Sequence, residues 1–409
     1  MVRKCRIDGG ELVEVFDLGN LYVSDFVDLP NQGERSPLRL GLCRDCGLVQ
    51  LYDSYPPTKM YENYWYLSGV NESMRAALAD ITSCAQRFVR LKRGDVVLDI
   101  GANDGTLLKT YPDDCIKVGV DPAKSLAHLL SQVANYVVSD FFTADAFLKL
   151  SLPPAKVITS IAMFYDLDDP IRFARDIRGC LARDGVWVCQ LSYTPFMLRL
   201  NAFDNICSEH VTYYTLATFM RVTNEVGLRI VDVELNNVNA GSFRVYCMRE
   251  DAEYQDFNCN YDIGNFRTES LLMTEERMRL RDPSVYKEFE KRVHSLREET
   301  VTLLRDLNKQ GKTVAGYGAS TKGNTLLQYY GIGPDLLPYI AERSPAKFGK
   351  YTVGSYIPIV SEREMRSRKP DYLFVLPYHF IDGILERERL FIESGGKFIV
   401  PLPRLRIIG

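Results

Sequence analysis

The apolar positions of this chain change their period along its length, and the changes mark out its parts. From residue 95 the sequence reads DVVLDIG, IKVGVD, YVVSDFF, KVITSIAMF and GVWVCQLS, solid apolar runs separated by amphipathic stretches. Such alternation predicts βαβ units and a buried parallel sheet. Two later runs, RIVDVEL and SFRVYCMR, predict antiparallel strands that close a mixed sheet near residue 250. The first seventy residues are rich in Gly, Pro, Asp and Tyr and lack a long helical pattern, and a helix is predicted from about Asn71 to Leu91. Residues 268–309 are highly charged with helical periodicity, which predicts connecting helices with solvated faces, broken near Pro283. The stretches KTVAGYGASTKGNTLLQYYGI, LPYIAERSP, DYLFVLPYHF and KFIVPLP then repeat strand, glycine turn, helix and strand. The expected fold class is α/β, with a small module at 1–70, a central α/β domain at 71–250, a helical connector at 251–310 and a second α/β module at 311–409.

Composition narrows this only a little. The 409 residues suit two or three domains. Apolar residues make up 46% and charged residues 25%, and the net charge of −3 comes from mixed signs, so neither a nucleic-acid nor a membrane partner is expected. No apolar run reaches the length of a membrane span, and MVRKCRIDGGELVEVF has no apolar leader core. The ten cysteines are mostly scattered in apolar contexts, which fits a cytoplasmic protein with buried thiols better than a disulfide framework.

Two of the cysteines form a knuckle, Cys43-x-x-Cys46, and an earlier half-knuckle reads Cys5-x-x-Asp8. Four ligands must surround zinc tetrahedrally, and Cys5, Asp8, Cys43 and Cys46 could supply them. The alternatives are a ribbon without metal, thiols used for packing, or a water or distant side chain in place of Asp8.

The run DVVLDI leads into GANDGTLL, giving Asp99-x-Gly101-x-x-x-Gly105. This is not the dinucleotide fingerprint, which serves a pyrophosphate. A ligand without phosphate needs only close backbone approach at Gly101 and a helix N-terminus for its carboxylate. S-adenosylmethionine (SAM) is such a ligand. Asp121 ends the next strand about twenty residues on, placed to accept from ribose hydroxyls. Asp140 ends the third strand, placed for the adenine amino group, with Phe141 and Phe142 able to stack beside the ring.

Taken in order, the cysteine knuckles, YENYWYLSG, the SAM turn, FDNICSEHVTYYTL, NAGSFRVY, GYGASTKGNTLLQYYGI and AERSPAKFGKYTVGSYIPI resemble the sugar C-methyltransferases of deoxysugar pathways. The resemblance covers nearly the whole chain. It implies a zinc-bearing N-terminal module, a central Rossmann-like class I methyltransferase sheet and a C-terminal Rossmann-like module, with a nucleotide sugar in the cleft between them. It implies transfer of a methyl group from SAM to a carbon, C3, of an NDP-4-keto-6-deoxyhexose by a monomeric enzyme. His210 matches the family's base and Glu209 the acid beside it. Tyr64 and Tyr66 become candidates to reach the sugar. Gly316, Gly318 and Gly323 permit a tight strand-to-helix turn, and Ser320, Lys322, Asn324 and Arg343, with Lys347, are candidates for the diphosphate. His379 reads as a pocket or packing residue, His294 as solvated and His128 as structural.

The chain departs from the family pattern in three places. Cys207 stands where better-known members have Tyr, Ala162 and Asp166 fall where they carry Asn and His, and Asn239 replaces a His. Methylation of a sugar hydroxyl or amine, and a non-catalytic binding module, are the competing readings.

Overall fold

Seven strands form the central sheet: β1 (Val96–Ile100), β2 (Ile116–Val120), β3 (Tyr136–Val138), β4 (Ala155–Ile161), β5 (Leu181–Ser192), β6 (Leu228–Asn236) and β7 (Ser242–Arg249). The computed structural model describes residues 4–29, 32–60, 66–252 and 261–409. The sheet order is β6-β7-β5-β4-β1-β2-β3. Strands β1 to β5 run parallel, and β7 and β6 close the edge antiparallel, as the late apolar runs predict. All five residues of β1 are buried, because the sheet is covered on both faces. The strand order reverses between β1 and β4, and a crevice opens there at the carboxyl ends. The helix before the sheet spans Glu72–Ala85, shorter than its period suggests. The chain turns there so that Phe88 stacks on Tyr246, ring centroids 4.6 Å apart, inside the core.

The C-terminal module has six strands: β8 (Val314–Tyr317), β9 (Ile340–Glu342), β10 (Ile359–Ser361), β11 (Tyr372–Val375), β12 (Lys397–Val400) and β13 (Arg406–Ile408). Their order is β10-β9-β8-β11-β12-β13, parallel except for β13. The N-terminal residues build an antiparallel sheet from Leu12–Tyr22, Arg35–Cys43 and Val49–Leu51. Its fourth strand, Thr212–Tyr213, comes from the central unit, directly after Glu209 and His210. A second pairing joins Phe26–Val27 to Tyr351–Thr352 of the C-terminal module.

The N-terminal and C-terminal parts share one hydrophobic core with the long helix Pro283–Lys309. Phe16 meets Phe289 at 5.2 Å between ring centroids, and Phe203 stacks on Tyr330 at 5.3 Å. A sheet this small buries too little alone, and the shared core stabilises both partners. The connecting helices are interrupted just before Pro283, as expected, and Pro283 starts the second of them, since its missing N–H costs nothing at the first turn and Asp282 accepts from Ser284 N–H. The connector's exposed face carries ion pairs such as Lys291–Glu288. Its other helix, Tyr261–Arg277, buries Glu275. That carboxylate accepts from Tyr193 Oη–H at 2.7 Å, Leu216 N–H at 2.6 Å and Ala217 N–H at 3.0 Å, capping the helix Leu216–Glu225. Among the described residues no helix is long and apolar enough to cross a membrane.

Candidate active site

A cavity of about 590 Å³ opens at the carboxyl edge of the central sheet, lined from all three parts of the chain. On the sheet side, Gly101 has φ of +74°, and a Cβ there would stand 3.2 Å from Met163 Cγ, so only glycine lets the backbone come this close. Asp99 is buried and accepts from Thr159 Oγ1–H at 2.6 Å; burial pushes its carboxyl up to about 7. Asp121 accepts from the N–H of Asn103 and of Ala123, both at 2.8 Å, and burial raises its pKa as well. Asp99, Gly101, Asp121, Phe141 and Phe142 all line the cavity. A strand-end carboxylate, a glycine opening and two aromatic rings in one crevice fit the amino acid and nucleoside ends of SAM.

Three sequence expectations for this side are corrected. Asp140 is exposed, does not line the cavity, and accepts the N–H of Phe141 at 2.7 Å, so nothing directs it to an adenine. Gly105, φ +77°, faces Val133 and Leu130 and serves the turn, not the ligand surface. No α-helix follows it: Leu108–Thr110 is one 3₁₀ turn, ended by Tyr111-Pro112, so no helix N-terminus faces the crevice there. Asn103 carries the part that sequence reasoning missed. Its side chain donates to the Tyr66 carbonyl at 3.0 Å and accepts from Ser68 N–H at 3.0 Å, folding the preceding loop over the turn. The available signal was an Asn inside GANDG, a residue type that tolerates the left-handed conformation Asn103 adopts, φ +53°. Tyr66 lines the cavity, while Tyr64 lies outside the described residues.

His210 follows β5 through the helix Thr194–Arg199 and the turn Phe203–Asn205. Its ring rests against Tyr165, centroids 4.3 Å apart, and the Tyr165 carbonyl accepts from Val211 N–H at 2.9 Å and Thr212 Oγ1–H at 3.0 Å. His210 Nδ1 lies 2.8 Å from the Asn205 carbonyl. A carbonyl only accepts, so Nδ1 carries the proton and Nε2 is the basic nitrogen. Burial, and then the charge of Lys322, hold the imidazole down to about 3, so it is neutral at physiological pH. Glu209 lines the cavity beside it, its pKa raised by burial, and the buried Cys207 stands two residues before it. Ala162, Asp166 and Asn239 also line the cavity, so two of the three departures from the family pattern alter its wall, while Cys207 is buried and does not line it.

The C-terminal module contributes Ser320, Lys322 and His379. Ser320 caps the helix Thr321–Tyr330, and Gly318, φ +80°, makes the turn where a Cβ would strike the Pro377 ring at 2.6 Å. Lys322 Nζ donates to Asn205 Oδ1 at 2.5 Å. Asn324 and Arg343 are not brought to the cavity. Asn324 is fully buried and donates to the Asp25 carbonyl at 2.9 Å, tying the helix to the N-terminal module; Arg343 is exposed. Lys347 is likewise taken up, donating to the Ala319 carbonyl at 2.7 Å. His294 is exposed on its helix, and His128 bonds within its own turn through Ser125. Gln190 and, from the N-terminal module, Asp25 and Glu34 line the cavity without any sequence signal that sets them apart.

Away from this cavity, one ligand atom from each of Cys5, Asp8, Cys43 and Cys46 falls within 4.8 Å of the others. Three thiols and a carboxylate at that spacing fit a structural, closed zinc site. The thiol of Cys5 is drawn down to about 7, first by its hydrogen bond with Cys46. None of the four residues lines the cavity, so a zinc they held would stand apart from it.

Three family models match the chain in succession. Residues 5–61 match one described as "Putative zinc binding domain", residues 70–233 a "Methyltransferase domain", and residues 237–403 a "C-methyltransferase C-terminal domain". The chain is 29% identical over 375 residues to the C-methyltransferase NovU of Streptomyces niveus, covering 91% of this chain and 87% of that protein. Among solved structures, a SAM-dependent methyltransferase from Aquifex aeolicus matches at TM-score 0.33 and 19% identity, over 44% of this chain and 94% of its own. The plantazolicin methyltransferase BpumL matches at TM-score 0.35 and 12% identity, over 44% and 86%. At such scores these two structures carry no argument.

Proposed function

We propose that the chain is a SAM-dependent C-methyltransferase, a reading its three successive domain matches and its likeness to NovU support, and that it methylates C3 of an NDP-4-keto-6-deoxyhexose with His210 as the base. The observation that carries this reading is one cavity shared by Asp121, His210 and Lys322, which come from the cofactor crevice, the loop after β5 and the C-terminal module. SAM, when bound, supplies an electrophilic methyl group. The protein must then make a sugar carbon nucleophilic, and a carbon beside a ketone becomes so only by losing its proton.

His210 is suited to that step. Its Nδ1 is fixed by Asn205, its Nε2 is unprotonated at neutral pH, and it lines the cavity. Glu209 orients the ring or holds a sugar hydroxyl. The Tyr66 hydroxyl is the donor we assign to the developing oxyanion, and Asp166 and Asn239 the sugar contacts. Ser320 and Lys322 take the diphosphate at the start of the C-terminal helix. The zinc ligands stand in a separate cluster and take no part.

The test is turnover with [methyl-¹³C]SAM and an NDP-4-keto-6-deoxyhexose, read by NMR of the product. A new carbon–carbon bond at C3 is the expected result. Label on an oxygen or nitrogen makes the enzyme a heteroatom methyltransferase, and no transfer at all leaves only a binding role.

A further inference from the structure

The turn Phe203–Asn205 precedes the base by a few residues, and the C-terminal module grips each of its three members. Phe203 stacks on Tyr330 at 5.3 Å. Asp204 Oδ1 accepts from Tyr378 Oη–H at 2.9 Å. Asn205 Oδ1 accepts from Lys322 Nζ–H at 2.5 Å. All three turn residues are buried, so these contacts are not relaxed by water. The carbonyl of the same Asn205 accepts the Nδ1–H of His210 at 2.8 Å. Two short bonds therefore connect an ammonium in the C-terminal module to the ring of the base, with Asn205 as the only intermediate.

We propose that Lys322 is a positioning residue for His210: through Asn205 it fixes the Nδ1–H tautomer, and it makes the base sense what occupies the C-terminal side of the cavity. The second part rests on the reading of Lys322 as the diphosphate's partner. The electrostatics point the same way. After burial, the Lys322 charge is what lowers the proton affinity of His210, and it lowers that of His379 too. The acidic groups facing Lys322 are Asp204 and Glu209, whose attraction holds the ammonium within reach of Asn205; the Cys207 thiol nearby is kept neutral by burial. A diphosphate on that side of the cavity offsets the ammonium and raises the basicity of Nε2. The base then gains strength when the nucleotide sugar arrives, and stays weak beside SAM alone.

The experiment is long-range ¹H–¹⁵N NMR of the full-length protein labelled at histidine, whose four rings are assigned by single substitutions. Wild-type His210 is expected as the pure Nδ1–H tautomer. Lys322→Gln and Asn205→Ala are expected to mix the tautomers, with unchanged SAM affinity as the check that each variant folds. Lys322→Gln should also raise the His210 pKa by about one unit or more. Saturating UDP or dTDP should raise it in the wild type and leave Lys322→Gln unmoved. A tautomer and pKa identical to wild type in both folded variants overturns the proposal. If neither nucleotide binds the wild type while the tautomer still responds to Lys322→Gln, the diphosphate reading and the sensing role fall and the positioning role stands.

Discussion

The ring Nδ1–H of His210 donates to the main-chain carbonyl of Asn205 at 2.8 Å, and that bond decides which nitrogen of the imidazole is basic. The ring is also kept neutral. His210 and His379 both sit at about 3 in the folded chain against an ordinary 6.5, chiefly because burial disfavours the charged form. Between these values the unfolded chain binds protons that the folded chain refuses, so stability rises with pH across the window and is lost as pH falls below about 6.5. Each histidine contributes a slope of up to about 1.4 kcal/mol per pH unit. Urea unfolding at pH 7 down to 4 should show this decline, and His379→Asn should make it shallower. An unchanged slope in that variant would remove His379 from the account.

Glu275 is the connector's structural contribution to the site. Its carboxylate receives Tyr193 and two N–H groups at the head of the helix that follows the His210 loop. Glu275→Ala leaves three donors unpaired, those of Tyr193 and Leu216 buried, each buried one costing about 1–3 kcal/mol if water does not enter. A loss of about 3 kcal/mol in urea unfolding is expected, and less for Glu275→Gln, which keeps an acceptor. A change within experimental error for Glu275→Ala would mean the donors find water.

Asp121 should matter to SAM and little to the sugar. Asp121→Ala removes the acceptor we propose for the ribose and frees the N–H groups of Asn103 and Ala123. SAM affinity measured by calorimetry should fall by about 1–3 kcal/mol. Unchanged affinity would take the ribose off this strand end.

One zinc per chain is expected by metal analysis of protein purified without added zinc. Cys43→Ser should lower that content, and a chelator should lower the thermal midpoint, since Cys5, Cys43 and Cys46 pack in the same core as the central sheet. Protein that is metal-free and equally stable would refute the site.

The fold was legible where one residue type has one physical meaning. Solid apolar runs announced β1 to β5, and DIGANDG announced a turn that only glycine at 101 can make. The shared core of the N-terminal and C-terminal parts was hidden, because Phe16 and Phe289 carry no mark of whom they meet. Asp140, Asn324 and Arg343 looked like ligands by type and position, but side-chain direction is set by packing that the sequence does not display. The Asn205 link was invisible for a deeper reason. Half of it is a main-chain carbonyl, which every residue possesses, and the other half depends on a lysine 117 positions away.

The central claim is that His210 removes a proton from carbon before methyl transfer. The direct measurement uses an NDP-4-keto-6-deoxyhexose deuterated at C3, with SAM, in wild type and His210→Ala, followed by mass spectrometry. The account predicts that each methyl gained by the wild type is matched by one deuterium lost. It predicts that His210→Ala binds SAM normally, retains the deuterium and transfers methyl about 10²–10⁴-fold more slowly. Methylated product that keeps its deuterium, or a His210→Ala variant of near-normal turnover, would contradict it.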